Sequence, residues 1–267
     1  MATADDCTLT FIGNATTLLR LGPITLLTDP NFLHRGQFAY LGHGLVSRRR
    51  TEPALSPDQL PELDGIVLSH MHGDHWDRIA KRTLDKSLPV ITTPKAAKAL
   101  VRQGFRAALA LTTWQSHTVT SGERQVRVTS LPARHAPGPA QVLLPPVMGS
   151  MLEYGPVGEA PVLRLYISGD TILIDELRDI PQRYPDIDVA VLHLGGTTLP
   201  GGLVVTMTGR DGVDLLEITK AHRAVPVHYD DYGVFKSPLS DFTAEIGHRG
   251  LTDRVLYAVR GVATPLT

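Results

Sequence analysis

Ser69-His70-Met71-His72-Gly73-Asp74-His75-Trp76-Asp77 places three histidines and a carboxylate within six positions, from His70 to His75. The apolar run Gly65-Ile66-Val67-Leu68 precedes it and a helix-like segment follows. The cluster is therefore expected at the C-terminal end of a strand, where α/β proteins build their sites. In extended backbone, side chains at i and i+2 point the same way, so His70 and His72 can grip one ion together. Asp74 and His75 fall in the following turn, offset enough to serve a second ion, and Gly73 permits the bend. A lone histidine at a strand end is more often a hydrogen-bonded structural residue. Four such side chains this close would leave many buried polar atoms unsatisfied without a cation. Imidazole and carboxylate are ligands for zinc, and they also suit iron or manganese.

The rest of the composition narrows the class. A chain of 267 residues with 42% hydrophobic content can bury a substantial core, and it is read as one domain over 1–267. Lys and Arg number 26 against 27 Asp and Glu, so no whole-molecule field argues for nucleic acid, and the expected partner is a small molecule. Cys7 is the only cysteine, which excludes an internal disulfide framework and cysteine-rich zinc modules. No basic-then-apolar leader and no membrane-length apolar run is visible, so a soluble cytoplasmic protein is expected.

Outward from the cluster, Cys7 to Gly13, Thr16 to Leu21 and Ile24 to Thr28 read as three strands of a meander, the third ending in Asp29-Pro30. Asp29 either lies near the same sheet edge as the histidines or caps a turn before Pro30. Residues 31 to 64 lack periodic pattern and carry Arg48-Arg49-Arg50. Those arginines meet an anionic substrate group or, as the plainer reading has it, form a solvated basic turn. Asp77 to Leu84 and Pro94 to Gln103 read as helices around a strand at Pro89 to Thr93. This rhythm argues for an α/β fold. Strands are then expected at Leu109 to Leu111, His117 to Thr120, Gln125 to Leu131, Val162 to Ile167, Ile187 to Leu192, Ala224 to Val227 and Arg254 to Val259. Helices are expected at Gly212 to His222 and Leu239 to His248. Several of these strands deliver a polar, metal-competent side chain just past their ends: His135, Asp170, His193 and His228.

The motif His-x-His-x-Asp-His, followed in order by His135, Asp170 and His228, resembles the signature of the metallo-β-lactamase superfamily, and the resemblance runs from about Leu9 to Tyr257. Leu27-Thr28-Asp29-Pro30, Ile66 to His70, Tyr166 to Thr171 and Val205 to Thr208 look like one branch of it. That branch contains the ascorbate-6-phosphate lactonase and the N-acylphosphatidylethanolamine phospholipase D. The resemblance implies an α/β fold of αββα sandwich type, two mixed sheets flanked by helices, with two divalent metal ions at one edge. By position, His70, His72 and His135 hold the first ion, Asp74, His75 and His228 the second, and Asp170 bridges them. Zinc is the first expectation, with Mn2+ or Fe possible.

The implied activity is that of a metal-dependent hydrolase using a hydroxide held by both metals on an ester, lactone or phosphodiester. Asp74 could also receive the proton as the intermediate collapses. Asp29 would orient a ligand histidine through its free ring nitrogen. Arg134, His193, Tyr229 and Asp230 are candidates for substrate contact by sequence proximity, each with an ordinary structural alternative. His222 is explained by a helix C-terminus. An iron-dependent oxygenase or reductase on the same scaffold and a non-catalytic metal-containing sensor are the rival readings.

Overall fold

The computed structural model describes residues 7–199 and 201–267. The chain opens with β1 (Cys7–Gly13), β2 (Thr16–Leu21) and β3 (Ile24–Thr28), at the bounds expected from their alternation and intervening turns. A hairpin, β4 (Phe38–Tyr40) and β5 (Val46–Arg48), precedes β6 (Gly65–Leu68). The chain continues through α1 (Arg78–Thr83), β7 (Val90–Thr92), α2 (Pro94–Arg102) and β8 (Ala108–Ala110). Then come β9 (Ser116–Ser121), β10 (Arg124–Leu131), β11 (Gly149–Pro156) and β12 (Leu163–Ile167). After α3 (Ile180–Arg183) and β13 (Val189–His193), a short pair β14 (Thr198–Leu199) and β15 (Leu203–Val204) leads into α4 (Gly209–Thr219). The last elements are β16 (Arg223–Val227), α5 (Leu239–His248) and β17 (Ala263–Pro265).

Two sheets form the centre. One runs β17-β1-β2-β3-β6-β7-β8 and the other β16-β13-β12-β11-β10-β9. Period-two patterning sends alternate residues to opposite faces of each strand. Val67, Leu165, Ile167, Val189 and Val191 therefore enter the core between the sheets with Leu9, Phe11 and Val126. Their neighbours Ile66 and Leu68 face outward onto Ala80 and Leu100 of the first helical layer. Tyr166, Ala190 and Leu192 face outward onto Leu215, Leu216 and Phe242 of the second. The result is the αββα sandwich that the family resemblance implies, within the α/β class that the strand and helix rhythm indicates.

Pairing is parallel along β3-β6-β7-β8 and along β12-β13-β16. All those strands point their C-terminal ends in the same sense within each sheet, which is what gathers the side chains that follow them. Such strands need apolar residues on both faces, and β13 is buried at all five positions. No helix among the described residues is long and apolar enough to cross a membrane.

Three expectations are corrected. Residues 31 to 64 are not wholly irregular, because β4 and β5 pair in register Phe38↔Arg48, Ala39↔Ser47 and Tyr40↔Val46. Arg254 to Val259 forms no strand; a single bridge, Ala224↔Val255, is made before the chain crosses to the other sheet as β17. Helix α4 starts earlier, at a capping box of Thr208 and Asp211, and ends before Lys220, whose φ is 56°. His222 thus lies beyond the helix, on the exposed approach to β16.

Candidate metal centre

Six strand ends deliver the site. Asp29 follows β3 and His70 lies two residues beyond β6. His135 and Asp170 follow β10 and β12 by four and three residues, His193 is the last residue of β13, and His228 follows β16 directly. Non-glycine backbone in the left-handed region recurs here, with φ of 39° at Asp29 and 62° at His228. Such strain persists only where surrounding contacts fix it, and it gathers at functional sites.

The donors converge as two groups. In the first, His70 Nε2 and His135 Nε2 lie 3.0 and 3.1 Å from His72 Nδ1. Those edges are close to what three nitrogens at a single tetrahedral cation require when each bond is about 2.0–2.1 Å. In the second, His75 Nε2 and His228 Nε2 are 3.3 Å apart. Asp74 Oδ2 stands 3.7 and 3.3 Å from these two nitrogens, and Asp170 Oδ2 3.2 and 3.6 Å. Asp170 Oδ2 also reaches to 4.0 Å of His135 Nε2, so it faces both groups.

These side chains fit a cation and are poorly served without one. His135 gives its Nδ1–H to the Val205 carbonyl at 2.6 Å, and His228 gives its own to the Leu194 carbonyl at 3.0 Å. A carbonyl can only accept, so in each neutral ring Nε2 presents a lone pair. Those lone pairs face His72 Nδ1 at 3.1 Å and His75 Nε2 at 3.3 Å, an arrangement that one shared cation in each group would satisfy. Oδ1 of Asp74 and of Asp170 are buried with no hydrogen-bond partner.

Electrostatics divide the two groups. Burial, then the neighbouring imidazoles, keeps His70 well below the ordinary histidine pKa and pushes His72 down to about 3; burial lowers His135 as well. Neutral imidazole is the metal-binding form. Burial opposes charge on His75 and His228 too, but there the Asp170 and Asp74 carboxylates outweigh it and both rings are raised. The carboxylate-rich half therefore calls for positive charge among its donors.

Around the donors stand residues that aim them. Asp29 Oδ1 accepts from the Ser69 amide at 2.7 Å, while Oδ2 lies 3.3 Å from His75 Nδ1 and 3.5 Å from His193 Nε2. The Asp29 of the sheet edge, rather than the plain turn cap, is what the structure shows. His193 sits behind the donors, its ring nearly parallel to His75 at 6.0 Å, with Nδ1 3.3 Å from Ser168 Oγ. Ser69 Oγ is 2.9 Å from His70 Nδ1. Gly73 serves close approach: a Cβ there would lie 2.7 Å from the Tyr40 backbone N and O, so glycine lets β4 pack onto the motif loop.

Two residues escaped sequence reasoning. Asn14, with φ 54°, donates Nδ2–H to the Asp74 carbonyl at 2.7 Å, and its own carbonyl accepts from the His228 amide at 2.9 Å. Its amide in turn donates to Asp231 Oδ2 at 2.7 Å. Asp231 is a buried hub that also accepts from Arg49 Nη2, Thr51 Oγ1 and Arg260 Nη1 and Nη2. The Gly13-Asn14 turn was the available signal for the first. Nothing in His228-Tyr229-Asp230-Asp231 distinguishes its two carboxylates by pattern.

The remaining candidates lie elsewhere. Arg134 pairs with Glu176 at 3.0 Å on the surface. Tyr229 packs its ring against Phe11, with burial and then Asp230 raising its hydroxyl to about 12. Asp230 pairs with Arg260 at 2.5 Å and is exposed. Arg49 is fully buried, so the triple-arginine run is not a solvated turn throughout.

A family profile described as a beta-lactamase superfamily domain matches residues 25–229. A metal-dependent hydrolase of Exiguobacterium is 26% identical over 243 residues, covering 91% of this chain and 95% of its own. An N-acyl-phosphatidylethanolamine-hydrolyzing phospholipase D of Caenorhabditis elegans is 24% identical, over 84% of this chain and 64% of its own. Among solved structures, an isothiocyanate hydrolase from Delia radicum gut bacteria superposes with a TM-score of 0.78 at 19% identity, over 96% of this chain and 98% of that one. Fold, donor clusters and these likenesses agree: the chain belongs to the metallo-β-lactamase superfamily, as a metal-dependent hydrolase.

Proposed function

We propose that the protein hydrolyses an ester, lactone or phosphodiester bond of a small molecule with water activated between two divalent cations. In this reading His70, His72 and His135 hold one cation, Asp74, His75 and His228 the other, and Asp170 is shared. The observation that carries it is the position of Asp170 Oδ2, within 3.2–4.0 Å of nitrogens from both donor groups. Zinc suits the histidine-rich set, though the same donors accept iron or manganese. Bound there, two such ions would lower the pKa of water towards neutrality and polarise a substrate oxygen.

The chain's own residues do the rest. The Val205 and Leu194 carbonyls fix the rings of His135 and His228, and Asp29 fixes that of His75. Asp74, whose Oδ1 is buried and without a hydrogen-bond partner, would take up the proton that the attacking water gives up and return it to the leaving-group oxygen as the bond breaks. β4 packs on Gly73, and His43 in the turn between β4 and β5 lies 2.5 Å from the Leu143 carbonyl, so the hairpin reaches the segment that follows His135. Of the seven donors His72 is the most exposed, at 8%, so access is narrow and favours a small substrate. The phospholipase relative lends support to the phosphodiester option, by its name alone.

The test is a screen of metal-loaded protein on generic esters, lactones and bis-aryl phosphodiesters, with metal analysis and an optical spectrum. Turnover on one class is expected, with bound metal and turnover both lost in His72→Ala/Asp170→Ala. Full activity in a metal-free double variant would sink the mechanism. No turnover on any class would favour a binding protein instead.

A further inference from the structure

The run Arg48-Arg49-Arg50 lines a cavity of about 560 Å³ together with Arg35, Gly36 and Gly233. None of these residues is among the seven converging donors. We propose that this cavity is a second ligand site, which binds the phosphate group of a small molecule.

Its walls are held by backbone hydrogen bonds. The Gly36 amide donates to the Arg49 carbonyl at 2.8 Å, the Arg49 amide to the Gln37 carbonyl at 2.8 Å, and the Arg50 amide to the Asp231 carbonyl at 2.7 Å. Arg49 is fully buried; its Nη1 donates to the Asn31 carbonyl at 3.0 Å and its Nη2 to Asp231 Oδ1 at 3.2 Å. Its Nε is buried with no partner. That nitrogen is closed off from solvent, so Arg49 holds the wall in place and binding falls to Arg35, Arg48 and Arg50.

The flanking arginines supply charge. Arg48 and Arg50 are exposed, and their guanidiniums lie over glycines: a Cβ on Gly36 or on Gly233 would come 3.3 Å from Nη2 of Arg48 or Arg50. Among the described residues the side chains of Arg35, Arg48 and Arg50 make no hydrogen bond or ion pair. The neighbouring carboxylate, Glu52, is engaged by His34 Nδ1 at 2.9 Å and by the Arg35 amide at 3.2 Å. Even with Glu52 counted in full, three arginines against one carboxylate leave two positive charges in surplus.

A phosphate monoester matches that surplus, with about −1.5 to −2 charge at neutral pH and three strong acceptor oxygens. A lone carboxylate brings one charge and two oxygens. Guanidinium forks bind phosphate oxygens in pairs, which suits side chains converging from two sides of one cavity.

The test is calorimetric titration of the full, metal-loaded chain with inorganic phosphate and with phenylphosphonate. It is run beside Arg48→Gln/Arg50→Gln and beside His72→Ala/Asp170→Ala, with chelated wild type replacing the latter if it does not fold. Binding is expected in wild type and in the donor-cluster variant. The arginine variant should bind about tenfold or more weakly, the loss of one or more charge-assisted hydrogen bonds, with metal content unchanged. Equal affinity in the arginine variant, binding lost only with the donor cluster, or no binding to wild type each overturns the proposal. Flotation with phosphatidylcholine vesicles, with and without phosphatidic acid, separates the lipid source. Capture by acidic vesicles without binding of the soluble anions overturns the small-molecule site.

Discussion

The Asp29 carboxylate lies 3.3 Å from His75 Nδ1, while Nε2 of the same ring faces Asp170 at 3.2 Å. One carboxylate thus sets the direction of a ring whose other nitrogen enters the donor cluster. Asp29→Asn keeps a residue tolerant of the 39° φ while removing the charge. Metal affinity should fall by about 10–100-fold, as when other outer partners of a ligand histidine are lost. Competition with a chromophoric chelator reads this directly; unchanged affinity would mean that Asp29 does not orient the ring.

Asp231→Ala removes the acceptor shared by Asn14, Thr51, Arg49 and Arg260. Both Arg49 and Asp231 side chains are 0% exposed, so the guanidinium would be left charged and unpaired in the interior. The expected loss of stability is about 3–5 kcal/mol, measured by urea denaturation. A loss within the range of an ordinary surface substitution would show that solvent reaches the cluster.

The same carboxylate gives stability a defined acid limb. Burial raises the Asp231 pKa, but hydrogen bonding and attraction from Arg260, then attraction from Arg49, outweigh it and hold the group down to about 2. In the unfolded chain it titrates near the ordinary aspartate value of 3.8. Between these values the unfolded state binds more protons, so stability rises with pH there. The contribution is full above about 4 and is lost as pH falls through about 2. Urea midpoints against pH should show this slope in wild type and a shallower one in Asp231→Asn.

Gly73→Ala tests the packing of β4 on the motif loop. The added methyl would lie 2.7 Å from the Tyr40 backbone, which cannot rotate away as a side chain could. A cost of about 1–3 kcal/mol is expected from such overpacking, together with reduced turnover. Wild-type thermal stability and activity in this variant would show that the hairpin yields freely.

Much of the sandwich was legible because the signals were local. Alternation and turn residues bounded β1, β2 and β3, and Leu239–His248 is helical as read. The donors His70, His72, Asp74 and His75 come together in sequence, and the strand-end positions of His135, Asp170 and His228 agree with their convergence. What escaped depends on long-range partners. Arg254 to Val259 has strand pattern, yet only Val255 bridges Ala224, because Gly261 donates to the Phe11 carbonyl and draws the chain to the other sheet. Arg49 looked like surface because its partner Asp231 is 182 positions away.

That crossing has a mechanical consequence. Val255 is fastened to β16 at the margin of one sheet, and residues 263–265 pair with β1 at the margin of the other, with Arg260 pinned to Asp231 between them. His70, His72, Asp74 and His75 ride on the β1-containing sheet, whereas His135, Asp170 and His228 ride on its partner. The stretch is a hasp across the two plates, so the gauge between the halves of the donor set depends on a segment that contributes no donor of its own.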